Sequence, residues 1–129
     1  MLKQQSGFTL IELIAVLVIL GILAAAAVPK FIDLSEEAQN AATDSIAGSI
    51  ESASALNHAV DIAVEAGLST DPFVTVANCT DGGSLLSGGL PTGYVITAAA
   101  VADKTTVTCT LTHTASTDTA TFTIVGAAP

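Results

Sequence analysis

The sequence predicts an α+β chain: one long N-terminal helix whose C-terminal half packs on a small antiparallel β-sheet. Three observations carry that expectation. From Phe8 to Val28 the residues are apolar, interrupted only by Thr9, Glu12 and Gly21. From Phe31 to Ala66 apolar residues recur at helical steps. Beyond Gly67 the chain breaks into turn signals and short alternating runs rich in Thr and Val.

The first run is long enough to cross a bilayer, since about twenty apolar residues span the hydrocarbon as a helix. A secretory signal is the competing reading, and Ala24–Ala27 supplies small residues of the kind a signal peptidase needs. The run is too long for that, its basic start amounts to Lys3 and the amino terminus, and helix-like sequence continues past Pro29. A segment that stays in the membrane with its N-terminus in the cytoplasm fits better. Gly21 and Pro29 punctuate it. Proline lacks an N–H and crowds the carbonyl of Ala25, and Val28, preceding it, is biased away from α geometry, so a kink is expected near Ala25–Pro29, while the four alanines at Ala24–Ala27 favour helix in the isolated chain.

The second part of the helix turns amphipathic. Ile46, Ile50, Ala53, Leu56, Val60 and Val64 form an expected apolar stripe, while Glu37, Asp44, Glu51, His58 and Glu65 repeat every seven residues on a face expected to meet water or a neighbour. Gly67 is the expected stop. A helix from Phe8 to Ala66 would be about 88 Å long at 1.5 Å per residue.

Gly67 to Thr92 reads as a loop region, with Asp71-Pro72, Asp81-Gly82-Gly83, Ser87-Gly88-Gly89 and Pro91 as turn signals and a short extended piece at Phe73–Val76. Three strands are expected, at Tyr94–Val101, Thr105–Thr112 and Thr119–Val125. In the second, Val107, Cys109 and Leu111 alternate with Thr. In the third, Phe122 and Ile124 point inward. Asp103-Lys104 and Ala115–Asp118 are the expected hairpin loops, giving an antiparallel meander with Thr outside.

The 129 residues carry 3 basic and 12 acidic side chains, for a net charge of −9, and Lys3, Lys30 and Lys104 are the only cations. No basic footprint exists for a nucleic-acid partner or for anionic lipid. The 2 cysteines, Cys79 and Cys109, lie behind an export-type segment, which suggests a disulfide formed in an oxidising compartment. Closing a loop of about thirty residues contributes roughly 3–4 kcal/mol in the chain-entropy account.

Catalytic patterns are lacking. The sequence holds no Gly-x-Ser-x-Gly, no phosphate-cradling glycine loop and no Cys-x-x-Cys, so neither an enzyme nor a cofactor is expected. His58, Asp61 and Glu65 sit at helical spacing, with Glu51 further back, but a solvated face explains them better than a metal. Asp103 and Asp118 make a sparse calcium set. No metal is therefore expected. Asn78-Cys79-Thr80 has the form of a glycosylation sequon and is read as coincidence.

The residues Ser6-Gly7-Phe8-Thr9-Leu10-Ile11-Glu12, followed by the apolar run, resemble the bacterial type IV pilins. Those proteins have a short polar leader ending in Gly, then Phe, then Glu four residues later. The likeness is specific over Gly7 to about Leu34. Pro29-Lys30-Phe31-Ile32-Asp33-Leu34 is similar to the type IVa branch, including pilins of the mannose-sensitive haemagglutinin kind. The resemblance implies four segments: a cleaved leader at 1–7, a membrane and filament-core helix at 8–29, its amphipathic continuation at 30–66, and the loop and sheet of a globular pilin domain at 67–129.

It further implies that a prepilin peptidase cuts between Gly7 and Phe8 and that Phe8 is N-methylated. The precursor would wait in the inner membrane with its C-terminal domain in the periplasm. Pilus assembly machinery would then extract it into a homopolymeric extracellular filament serving adhesion or motility. Glu12 has a physical reason in that setting. A carboxylate in a membrane costs roughly 2.5–3.5 kcal/mol by insertion scales. Cleavage creates a cationic amine at Phe8, and methylation keeps its charge. A neighbour's Phe8 would pair with Glu12 and fix subunit register. The Gly21–Pro29 stretch would lose helical bonds in the filament. The alternatives are a pseudopilin of a type II secretion system, a minor pilin or tip adhesin, and a membrane-anchored periplasmic enzyme or binding protein.

Overall fold

A computed structural model describes residues 7–129; the leader residues 1–6, including Lys3, lie outside it. The elements run as α1 (Leu10–Glu65), a 3-10 helix (Cys79–Leu85), β1 (Tyr94–Ile96), β2 (Thr106–His113) and β3 (Thr119–Val125). The chain divides into two compact units, Met1–Glu37 and Ala38–Pro129. The α+β class is as expected: one long helix, then a sheet of three antiparallel strands in the order β1-β2-β3.

In the first unit, α1 is helical through Gly21, Val28 and Pro29 without interruption. The single chain is thus helical there, as the run of alanines leads one to expect of an isolated subunit. The reason lies in the flanks: proline removes one intrahelical donor, while the four alanines at Ala24–Ala27 are the strongest helix formers. At its far end α1 closes as expected on Gly67, at φ +69°. The Gly67 N–H bonds the Val64 carbonyl and the Leu68 N–H bonds the Ala63 carbonyl, which satisfies two of the last free acceptors.

In the second unit the core is built from Ala47 and Ile50 of α1, Val76, Cys79 and Val101 of the connections, Cys109 and Leu111 of β2, Ala120, Phe122 and Ile124 of β3, and Ala127. The alternation in β2 and β3 is the one the sequence shows, with Cys109↔Phe122 and Val107↔Ile124 in register. Gly82 is buried, and a Cβ there would come within 3.0 Å of Ile50 and 3.3 Å of Ile124, so the missing side chain lets the 3-10 helix sit close on the core.

Two expectations are corrected. The first strand ends at Ile96 rather than Val101. After Thr97 donates to the Thr110 carbonyl the chain leaves β2 and pairs with the segment before the 3-10 helix: Cys79 N–H bonds Ala99 O and Val101 N–H bonds Ala77 O. The loop region also contains that 3-10 helix, capped by Asn78, whose side chain accepts from Thr80 N–H while Asp81 accepts from Asn78 N–H.

The second correction concerns the helix face. The buried line of α1 is Thr43, Ala47, Ile50, Ser54 and Asp61, whereas Ile46, Ala53, Val60 and Val64 are half-buried and Leu56 is exposed. The cause is the edge of β3. Its Thr123 N–H donates to Glu51 Oε2 at 2.8 Å, and its Val125 N–H donates to Ser54 Oγ at 2.9 Å. An edge strand leaves backbone donors without partners, so the helix presents acceptors and small residues to it rather than its bulkiest apolar side chains.

Candidate functional site

The Gly7–Glu12 segment is the start of α1. Thr9 stands just outside the helix and Glu12 is its third residue. The Thr9 backbone N–H and hydroxyl both donate to Glu12 Oε2, each at 2.7 Å, and the Glu12 N–H approaches Thr9 Oγ1 at 3.4 Å. This reciprocal arrangement is a capping box, which satisfies backbone donors that the first helical turn leaves free. It explains why the helix begins at Leu10. The Thr-x-x-Glu spacing is visible in the sequence, and the reading that assigned Glu12 to a neighbour passed over it.

Around that cap nothing among the described residues covers the apolar surface. Phe8 is 91% exposed and a Cβ placed on Gly7 would meet no atom within 4 Å. Leu10, Ile11, Leu13, Ile14, Val16 and Leu17 are all exposed, as is the run as far as Leu23. The helix is long and apolar enough to cross a membrane, judged by length and composition. Gly21 and Pro29 lie on this same segment, with open space around Gly21. An apolar helix uncovered on every side requires lipid or other helices around it.

In the second unit Cys79 and Cys109 form a disulfide with a Cα–Cα distance of 5.7 Å, both residues buried. It ties the start of the 3-10 helix to the middle of β2.

The polar residues of the helix face do not converge on a metal. Glu51 is taken by the Thr123 N–H, and that backbone bond holds its carboxyl below the usual range. Glu65 pairs with Lys104 at 2.7 Å. The Glu65 carboxylate raises the Lys104 amine above its usual value, helped by the charges of Asp103 and Asp61. Asp61 is fully buried, both its oxygens lack a hydrogen-bond partner among the described residues, and His58 Nδ1 stands 3.7 Å away, too far to donate. Asp103 accepts from the Ala128 N–H. Asp118 receives the Asn40 amide, turned with its nitrogen toward both carboxylate oxygens at 3.0 Å. No group of three His, Cys, Asp or Glu side chains able to hold a metal occurs among the described residues.

Comparison with known proteins places the first segment. The family model for the prokaryotic N-terminal methylation motif matches residues 2–28. The chain is 51% identical over 53 residues to the type IV narrow pilus major component PilA5 of Thermus thermophilus, covering 41% of this chain and 46% of that protein. It is 57% identical over 37 residues to the type II secretion system core protein G of Pseudomonas aeruginosa, covering 29% of this chain and 26% of that one. The chain thus spans less than half the length of the curated relatives it matches. No solved structure matches it. The resemblance to bacterial type IV pilins therefore holds: this chain carries their N-terminal methylation motif at the head of a long apolar helix, followed by a small antiparallel sheet.

Proposed function

We propose that this chain is the structural subunit of a type IV pilus. It is made as an inner-membrane precursor, N-terminus in the cytoplasm and sheet domain in the periplasm. Prepilin peptidase cuts between Gly7 and Phe8, and Phe8 becomes the N-methylated terminus. The assembly machinery then transfers the 8–29 segment from lipid into a bundle of sister helices. The 30–66 segment continues that helix, and residues 67–129 decorate the outside of an extracellular fibre used for adhesion or motility. The observation that supports this reading is the pairing of the methylation motif with an apolar helix that the described residues leave bare.

In this reading Glu12 receives the Phe8 amine of a neighbouring copy and sets axial register, because an unpaired charge in that environment is costly. The Gly21–Pro29 stretch gives up helical bonds only when subunits pack. The test is electron microscopy of sheared surface filaments with mass spectrometry of their subunit. A chain starting at N-methyl-Phe8 is expected. A soluble product cut within Ala24–Ala27 overturns the proposal.

A second reading, a pseudopilin of a type II secretion system, is favoured by the likeness to the secretion protein of Pseudomonas aeruginosa. Deleting the chain discriminates. Loss of surface fibres with intact protein secretion supports the pilus, and the reverse supports the secretion system.

A further inference from the structure

The turn joining β2 to β3 holds a hydroxyl unlike the others among the described residues. Ser116 Oγ lies 2.7 Å from His113 Nδ1. The direction of that bond follows from its surroundings. The Ser116 backbone N–H points at the same Nδ1 at 3.4 Å, so this nitrogen is an acceptor and the ring carries its proton on Nε2. The Asp118 N–H donates to Ser116 Oγ at 3.3 Å, leaving the hydroxyl free to give its own proton to Nδ1. Tyr94 holds the imidazole from the next strand, with ring centroids 4.9 Å apart.

Other hydroxyls bond differently. Thr43, Ser49, Ser52 and Thr105 donate to backbone carbonyls, and Ser69 to the Asp71 carboxylate. An amide oxygen does not take up a proton in water, and a carboxylate does so only in acid. An imidazole nitrogen does so near neutral pH, which is what activates a serine as a nucleophile. The pair sits at a hairpin tip reached by solvent, and the next residue, Thr117, has φ +63°, a strained value for a β-branched side chain.

We propose that Ser116 is a nucleophilic acceptor hydroxyl, with His113 as its general base, and that it takes an acyl group from an activated ester. The Ser116 Oγ–carbon bond forms as the Oγ proton passes to His113 Nδ1. The ester carbon–oxygen bond breaks, and the departing alcohol leaves with that proton. The products are O-acyl-Ser116 and a free alcohol, with no change of oxidation state. A neutral acyl donor suits the site better than a phosphoryl donor, since the chain carries a net charge of −9 and Asp118 lies two residues away.

The experiment treats the full chain in detergent with p-nitrophenyl acetate and maps acetylation by peptide mass spectrometry. Ser84 and Ser87, exposed serines elsewhere in the same unit, are internal standards. Ser116 should be acetylated about tenfold faster or more. His113→Gln, which keeps an acceptor for the hydroxyl but no base, should bring Ser116 down to the rate of the standards. Equal rates in the unaltered chain overturn the proposal whether or not the variant folds. So does acetyl that rests on His113 alone, or a Ser116 rate that His113→Gln leaves unchanged.

Discussion

Thr9 donates both its backbone N–H and its hydroxyl to one carboxylate oxygen of Glu12, each at 2.7 Å. The acid at the start of the apolar helix is therefore satisfied within its own chain while no partner is present. Hydrogen bonds to an ionised acceptor are stronger than neutral ones. They lower the cost of holding Glu12 at the edge of hydrocarbon. Assembly, in the proposed function, exchanges or shares these bonds with a neighbour's amine.

The exchange separates two roles for Glu12. Glu12→Gln keeps a side chain that completes a capping box but removes the charge. The variant is expected to be processed and inserted normally and to yield few filaments, as Glu12→Ala should. Normal filament yield from Glu12→Gln in a shearing assay would mean that the cap, not the charge, is what assembly requires.

The disulfide joins residues 30 apart and both its ends are buried. Replacing both cysteines by serine should cost about 3–4 kcal/mol from chain entropy alone. Two buried hydroxyls would add to that cost. Urea unfolding of the Ala38–Pro129 unit within the full chain, followed by β-sheet circular dichroism, measures it. Reduction of the unaltered chain should move the midpoint in the same direction.

Acid should loosen the edge of β3. The Thr123 N–H holds the Glu51 carboxyl below its ordinary value of 4.5. A group whose value is depressed on folding adds stability above its unfolded value and loses it as pH falls through the folded one. The contribution is thus present at neutral pH and disappears below about pH 4.5. Glu51→Gln should flatten the fall in melting temperature between about pH 6 and pH 3. Lys104, raised by Glu65, has the opposite sign: its contribution is lost as pH rises past the ordinary value of 10.5.

Asp61 is buried with both oxygens unpaired among the described residues and His58 beyond bonding distance. Replacing an unsatisfied buried polar group by an apolar one relieves its desolvation. Asp61→Leu should leave the domain at least as stable, read from thermal unfolding. A lower melting temperature would mean that His58 or Lys104 already compensates the carboxylate.

Much of the architecture was legible because its signals are local. The run from Phe8 to Val28, apolar but for Thr9, Glu12 and Gly21, the Gly67 after Ala66, and the Thr alternation of β2 and β3 each act through residues near in sequence. The Cys79–Cys109 pair was legible because only one pairing exists. The site at Gly7–Glu12 is legible as a motif, and its Thr9 cap is local as well, carried by the Thr-x-x-Glu spacing.

The sequence by itself determined that a long helix, apolar at its head, precedes a three-stranded meander with its cysteines joined. Tertiary structure alone decided which face of the helix the sheet takes. Periodicity counts apolar side chains, and it chose the line through Leu56. Packing has to satisfy the free N–H groups of β3 as well, so Ser54 turns inward, the exposed Glu51 reaches over the strand edge, and Leu56 is left exposed. It also decided that the run after Ile96 abandons β2 for Ala77–Cys79, because backbone donors and acceptors there were still without partners. Such demands come from strands distant in sequence, and no local spacing records them.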